Sequence, residues 1–399
     1  MAGRWGTSVA LGVSGILSVA LGLRTGVASL SPLAPIIAED IMLSSVQLGL
    51  LAATPAVLFA ASGLFAPAVI RRLGVEKVMI IVLIVTALSH VVRSVAEGFG
   101  LLMLGTAVLM LGVGVGNIAL PVAVKIYAPK NVGALTSAYA TGLALSTAVG
   151  AWGALVIAGD YGWRVSLGSW GIISVVALLP WLLLTFRAPV ALETPVAAQR
   201  LPVIRFRLLQ SSTAWAVLAT FALPSITAYT MFGLLPVIGV EHLGMQLVDA
   251  AWLLTVFTAI GIPLAVIVPR LAHRPRITGG LVLIAGTLLV VGYLGLGFLL
   301  SSPMLWVSLL AAATLMFSLS LALIGLRSDS VSTATELSGF VNGVGYFVAG
   351  LGPLVVGAVV AAQGNWTLAL AGMSITGFLV IPAGLILLRG RSVDQDLSQ

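Results

Sequence analysis

Cysteine is absent from the 399 residues, and charge is nearly so: Asp, Glu, Lys and Arg make up only 8% of the chain. Without cysteine there are no disulfides, no thiolate metal sites and no cysteine nucleophile. Soluble domains carry about 25% charged residues, so a water-soluble enzyme, a nucleic-acid binder and a disordered scaffold are excluded. Three histidines make no metal-binding cluster. No Walker loop is present, so ATP is not the energy source, and no Ser-His-Asp set occurs at membrane depth. The run GVGVGN at residues 112–117 lies inside an apolar helix and is not a dinucleotide loop. What is abundant is apolar: 60% of the residues, in continuous runs of helix length and not in the ~10-residue alternating strands of a membrane barrel. The chain therefore reads as an integral membrane protein, not an enzyme, with no cofactor. Its first apolar run is too long for a cleavable signal peptide, and no small-residue cleavage site stands out.

A crossing takes about 20 apolar residues. Twelve helices are predicted, over approximately 8–37, 45–70, 78–95, 99–126, 132–158, 164–187, 211–239, 248–270, 277–300, 303–326, 334–361 and 366–389. The longest connection, 188–210, holds Pro189, Pro195, Pro202 and three arginines. It divides an N-terminal six-helix bundle (1–187) from a C-terminal one (211–399), with 188–210 as a cytoplasmic linker. With the N-terminus inside, 16 of the 19 Lys and Arg residues fall on the inner side, Arg93 and Arg164 on the outer, and Arg24 on neither. That bias places both termini in the cytoplasm.

The halves repeat. A shift of about 202 residues superposes Pro67 on Pro269, Arg71-Arg72 on His273-Arg274, Lys125 on Arg327 and Gly150 on Gly352. Pro35 meets Pro236 and Trp163 meets Trp366, each one residue off that shift. Two parallel six-helix repeats are the signature of a transporter whose halves rock about a midplane site, so the expected fold is an all-α membrane protein similar to the major facilitator type, with twelve transmembrane helices in two pseudo-symmetric bundles.

Four stretches carry a closer likeness: ALGLRTGVASLSPLAPII at 20–37, GLFAPAVIRRLG at 63–74, GVGNIALPVAVKIYAP at 114–129 and LALIGLRSDSVSTATELSGFVNGVGYFVAGLGP at 321–353. In order and spacing they resemble the cyanate/2-nitroimidazole transporter family. Pro67 stands where the usual facilitator loop has an acidic residue. The resemblance implies a multi-pass protein of the bacterial cytoplasmic (inner) membrane that carries small anions such as cyanate, or exports nitroimidazoles.

Arg24 is the sharpest single signal. It sits near the middle of the first span, where an arginine costs about 2.5–3.5 kcal/mol on insertion scales. The twelve acids all fall in loops, tails or helix ends, so no carboxylate is expected at its depth. Its repeat partner lies near Ser225 and is uncharged, so the fold does not require it. An arginine in a solvated cavity offers a bidentate fork to an anion; the bland alternative is a structural arginine bonded to helix carbonyls. Asn117 precedes Pro121 and either mends that kink or faces substrate. Asn342 and Tyr346 are four apart and share one face of their helix, among Gly339, Gly343, Gly345 and Gly350; these, with Tyr139 and Tyr229, are candidate substrate contacts or else interhelical bonds.

His90 and Arg93 lie at i and i+3 near the outer end of the third span. They are candidates for a proton or anion-access role, against packing at the interface. Lys125 and Arg327 sit at inner helix ends, where basic side chains are favoured by the macrodipole and the anionic leaflet. With Arg71 and Arg72 they are candidates for a cytoplasmic gate. The expected activity is transport of a small anion by alternating access, secondary active or facilitative, with Arg24 binding the anion. Its partners are the solute and the bilayer, no nucleic acid, and the protein is a monomer by default for this architecture. The alternatives are multidrug or nitroimidazole-type efflux, for which Trp152, Trp170 and Trp252 provide aromatic surface, and, more distantly, a membrane receptor that binds without flux.

Overall fold

The computed structural model describes residues 2–186 and 207–398, and every regular element among them is helical. Most of the proposed linker, 187–206, lies outside the described residues. The first span, α1 (residues 2–40), is three consecutive segments, Ala2–Leu23, Thr25–Ala28 and Leu30–Asp40. The others are α2 (Ser45–Leu73), α3 (Val75–Ser94), α4 (Phe99–Tyr127), α5 (residues 132–161), α6 (residues 163–186), α7 (Ser212–Val237), α8 (Leu247–Leu271), α9 (Pro275–Phe298), α10 (residues 303–326), α11 (Val331–Gln363) and α12 (residues 366–388). A short tail helix, α13 (Val393–Leu397), follows.

Eleven helical runs are long and apolar enough to cross a membrane. One of these, Val132–Thr185, has 54 residues, more than twice the ~20 needed for a crossing. It breaks at Gly162, whose φ of 80° and ψ of 161° no helix contains. Only glycine takes that backbone conformation cheaply, so the run is two spans, α5 and α6, and the chain has the twelve expected crossings. The connection was predicted as a loop of several residues; one glycine makes it.

Local chemistry sets several boundaries. Ser44 and Gln47 form a reciprocal capping box at the start of α2, with Ser44 N–H donating to Gln47 Oε1 at 2.8 Å. Ser211 caps α7 and Ser330 caps α11, each accepting a backbone N–H three residues on, as hydroxyl caps do. The Ser330 cap starts α11 three residues earlier than hydropathy predicts. Gly364, at φ 62°, ends α11 in the left-handed conformation. Prolines 55, 67, 121, 224, 236, 263, 269, 353 and 382 lie inside helices; in membranes neighbouring helices re-satisfy the carbonyls they free. The first span departs most from its prediction. Its helix lapses at Arg24 and at Ser29, and hydropathy, which sees only an unbroken apolar stretch, carries no trace of this.

Two compact units result: Met1–Leu201 with Ala334–Gly339, and Pro202–Thr333 with Phe340–Gln399. Within the first, α5 crosses α1 at Gly150, where a Cβ would fall 2.7 Å from Thr25 Cα and 2.8 Å from its carbonyl oxygen. Within the second, α11 crosses α7 at Gly352, where a Cβ would fall 2.7 Å from Ile226 Cγ2 and 3.0 Å from its carbonyl oxygen. These two glycines superpose under the 202-residue shift, so the repeat read from landmark residues is also a repeat of packing. The first crossing brings backbone against backbone, as small residues allow in membrane helices; at the second the nearest atoms are the Thr230 hydroxyl and Ile226 Cγ2, with the Ile226 carbonyl behind them. Replacing either glycine by valine inserts side chain into space already filled, by backbone at Gly150 and mainly by side chains at Gly352. Gly150→Val and Gly352→Val are each expected to destabilise the protein by about 1–3 kcal/mol, read as a lower melting temperature in detergent; an unchanged melting temperature would show that the crossings are looser than described.

Candidate substrate-binding site

Arg24 occupies the first lapse in α1. Its backbone N–H donates to Ser146 Oγ of α5 at 3.1 Å. Its side chain is half-buried, and the guanidinium carbon lies 5.9 Å from the centroid of the Phe59 ring of α2, within cation–π range. Leu23, next to it, packs on Gly116 of α4, where a Cβ would come within 2.9 Å of Leu23 Cδ2. Gly114 of the same helix sits against Phe59, with a Cβ 3.2 Å from Phe59 Cα. The alternate glycines of α4 thus let α1 and α2 approach it closely around Arg24. Asn117, buried at 6% exposure, follows Gly116 directly. Tyr139, fully buried, lies two turns before Ser146, on the stripe of α5 that also carries Gly142 against Ala20 and Gly150 against Thr25. Three of the predicted site residues, Arg24, Asn117 and Tyr139, therefore belong to the first unit, on helices α1, α4 and α5 that pack on one another.

The other three belong to the second unit. Asn342 and Tyr346 are buried one turn apart on α11. The Tyr346 ring meets Tyr229 of α7 edge-on at 6.4 Å and Phe221 at 5.0 Å, and Phe221 lies 5.3 Å from Phe317 of α10. The structure joins Tyr229 to Tyr346 in an aromatic cluster. Phe221 and Phe317 were not singled out in the sequence, because an aromatic in an apolar helix carries no signal there. Trp170 is buried in the first unit, whereas Trp152 and Trp252 are exposed on their units.

His90 and Arg93 turn inward. Both are buried, at 1% and 0% exposure. His90 Nδ1 donates to the Leu167 carbonyl at 2.7 Å, and Arg93 Nη1 donates to the Gly26 carbonyl at 2.9 Å. A small cavity beside them, bordered by Gly22, Gly26, Thr86, His90 and Ser174, accommodates at most a water-sized guest. Where α1 ends, Arg164 Nη1 donates to Asp40 Oδ2 at 2.8 Å and stacks 4.2 Å from the Trp163 ring centroid, while Trp163 Nε1 donates to the same carboxylate at 3.1 Å.

The four basic residues read as candidates for a gate have distinct surroundings. Arg71 pairs with Glu336, which lies in the Ala334–Gly339 segment belonging to the first unit. Ser338 in that segment donates to the Ile118 carbonyl at 2.9 Å. Arg72 is exposed and Lys125 half-buried. Glu76 accepts from Tyr127 OH at 2.6 Å. In the second unit, Arg327 Nη1 donates to the Gly390 carbonyl at 2.6 Å, and its own carbonyl accepts from Val393 N–H at 2.8 Å. Burial pulls the Arg327 pKa below its ordinary value. Arg327 thus anchors the tail that carries α13.

That tail is the part the sequence reading missed. Asp394 accepts from Asp329 N–H at 2.6 Å and Thr333 Oγ1 at 2.5 Å. Asp396 accepts from Ser211 Oγ at 2.9 Å, Ser212 Oγ at 3.1 Å and Thr213 N–H at 2.9 Å, placing a carboxylate on the positive N-terminal end of α7. Arg207 donates to the Leu397 carbonyl. The ten residues after α12 therefore pin the N-terminal ends of α7 and α11 and the C-terminal end of α10. Two acids spaced by one residue, capped by Ser392 and Gln395, were the available clue.

The chain belongs to the Major Facilitator Superfamily, whose profile matches residues 16–355. It is a membrane transporter of small solutes and not an enzyme. Among individual proteins, it is 29% identical over 386 residues to the 2-nitroimidazole transporter of Escherichia coli, covering 96% of both chains. It is 24% identical over 380 residues to the cyanate transport protein CynX of Escherichia coli, covering 92% of this chain and 94% of that one. The resemblance read from the four sequence stretches is borne out by these relatives. In three dimensions it is similar to the E. coli fucose:proton symporter FucP, with a TM-score of 0.74, 17% identity and coverage of 95% of this chain and 99% of that one, a likeness of fold.

Two carboxylates, Asp40 exposed and Asp396 partly buried, give the protein a pH dependence outside the bilayer. Hydrogen bonds from Arg164, then Trp163, hold Asp40 below its ordinary 3.8. For Asp396, partial burial pushes the pKa up, but the hydrogen bonds from Thr213, Ser211 and Ser212 together pull it below 3.8. A carboxylate depressed in the folded state stabilises it above the unfolded pKa, and that contribution is lost as pH falls through the folded value. The melting temperature is therefore expected to drop as pH falls below about 4. Asp396→Asn should lower it at pH 7 and flatten the acid drop; an identical acid profile in the variant would refute the role given to Asp396.

Proposed function

We propose that this transporter carries a small anion and that Arg24 binds it. The observation that supports the reading is Arg24 itself: a half-buried guanidinium in the interior of an apolar span, at a lapse in the helix, backed by an aromatic ring. A guanidinium fork matches any group with two coplanar oxygens. A carboxylate and nitrate are such groups, and so is the nitro group of a nitroimidazole. The names of the two relatives, a cyanate carrier and a 2-nitroimidazole carrier, are consistent with one basic site serving both kinds of solute. Asn117 and Tyr139 stand near Arg24 in the first unit as orienting groups; Tyr229, Asn342 and Tyr346 are their counterparts in the second.

The mechanism proposed is alternating access, in which the solute is reached from one side of the membrane and then the other. The solute shifts the equilibrium only by its difference in affinity for the two states. Arg71, Arg72, Lys125 and Arg327 close the inner side. The protein resides in the bacterial cytoplasmic membrane as a monomer with both termini inside, where the Lys and Arg residues concentrate. A second reading, efflux of uncharged planar aromatics, is favoured by the Phe221–Phe317–Tyr229–Tyr346 cluster, which suits ring stacking.

Thermal stability of the purified protein separates the two readings. A ligand at 100 times its dissociation constant adds about 2.7 kcal/mol to native stability. Sodium cyanate, nitrate and formate are expected to raise the melting temperature of the parent and not of Arg24→Gln. If 2-nitroimidazole stabilises both equally and the anions stabilise neither, Arg24 is structural and aromatic efflux is the better reading. Normal anion flux by Arg24→Gln in liposomes would sink the proposal outright.

A further inference from the structure

Arg93 lies inside the first unit, wholly buried, and its side chain donates to a backbone carbonyl. Its Nε and Nη2 find no acceptor among the described residues. A cation in a low-dielectric interior with one carbonyl partner is a strained arrangement, and the partner it has is informative: Gly26, two residues beyond Arg24. From the other side, Ser146 Oγ accepts the Arg24 N–H. The two backbone groups that flank the lapse in α1 are thus tied to two different helices, α3 and α5. His90 completes the clamp. Its Nδ1 proton is spent on the Leu167 carbonyl, and its Nε2 faces Gly26 so closely that a Cβ there would lie 2.8 Å away.

The second unit shows that the fold does not need this arrangement. The 202-residue shift carries His90 to Gly292, Arg93 to Gly295 and Ser146 to Val348, and Arg24 to Ile226 or its neighbour Ser225. Packing supports the register. Arg93 Cγ lies against Gly105, where a Cβ would be 2.9 Å away, whereas Gly295 lies against the Trp306 ring, so the large residue and the glycine have exchanged helices. The second unit nevertheless builds the equivalent crossing, with Gly352 on Ile226. Arginine 24, its two backbone ties and the histidine beside them occur together in one half and are together missing from the other.

We propose that Arg93 and Ser146 are positioning residues of the anion site, fixing the lapse in α1 through the Gly26 carbonyl and the Arg24 N–H and thereby fixing where the Arg24 guanidinium points. This rests on the reading of Arg24 as the anion-binding residue. Arg93 itself does not touch solute: it has no exposed surface from which to do so. Removing it leaves the Arg24 side chain chemically intact on a segment no longer held.

The test uses Arg93→Met, Arg93→Lys and Ser146→Ala in the purified full-length protein, with two readouts. The first needs no ligand: amide hydrogen exchange over residues 20–30, with α9 as internal reference. Arg93→Met and Ser146→Ala are expected to speed exchange there about tenfold or more while leaving α9 unchanged. Arg93→Lys, which keeps a cationic donor, is expected to restore much of the protection. The second is the apparent dissociation constant for sodium nitrate from thermal shifts, expected to rise about tenfold in Arg93→Met and Ser146→Ala although Arg24 is present. Exchange that is unchanged over residues 20–30, or that rises equally in α9, overturns the proposal, as does unaltered nitrate affinity. If the parent responds to no anion, the Arg24 reading fails by itself, and the exchange readout alone judges the clamp. Should Arg93→Met not fold, Ser146→Ala, which removes one oxygen, carries the test.

Discussion

An arginine in the middle of an apolar span has to be held there, and much of the first unit is arranged around that constraint. A guanidinium at the centre of a bilayer is unfavourable by about 2.5–3.5 kcal/mol on insertion scales, and a lapsed helix adds backbone groups that lipid cannot satisfy. The chain answers with protein. Ser146 takes the Arg24 N–H, Arg93 takes the Gly26 carbonyl, Phe59 backs the guanidinium, and glycines 114, 116 and 150 let α4 and α5 approach closely. These contacts account for the backbone around Arg24 and for one face of its guanidinium.

The two halves share a scaffold and differ in chemistry. The crossing of α1 with α5 and that of α7 with α11 are built on superposable glycines. Around the first stand arginines, a histidine and a serine; around the second, in the corresponding places, stand glycine, valine and the apolar stretch near Ile226. In their stead the second unit has an aromatic cluster joining α7, α10 and α11. The two halves share the crossing geometry, while the charge lies in one and the aromatic cluster in the other.

At the helix ends that carry Arg71 and Arg327, ion pairs and tail contacts replace apolar packing. Arg71 and Glu336 meet within the first unit. In the second, the tail ties α7, α10 and α11 through Asp394, Asp396 and Arg327. Sequence landmarks had placed Lys125 and Arg327 as repeat partners with one shared role. Their surroundings separate them: Arg327 is buried on the Gly390 carbonyl, whereas Lys125 ends α4 half-buried.

The solvent, the number of crossings, the repeat and the superfamily were legible in the amino-acid order, because those follow from hydropathy summed over about 20 residues, from charge in loops and from landmarks at one offset. It also isolated Arg24, since a lone charge in an apolar run stands out without any knowledge of its neighbours. The folded chain alone shows that α1 lapses at that arginine, that Ser146 and Arg93 hold the lapse, that a single glycine separates α5 from α6, and that the last residues form a structured tail. For all but the glycine, whose break is local, the physical reason is the same. These features depend on what lies beside a residue in space, from 67 to 185 positions away along the chain, and a serine or a glycine among apolar residues looks alike whether it packs against lipid or holds a backbone in place.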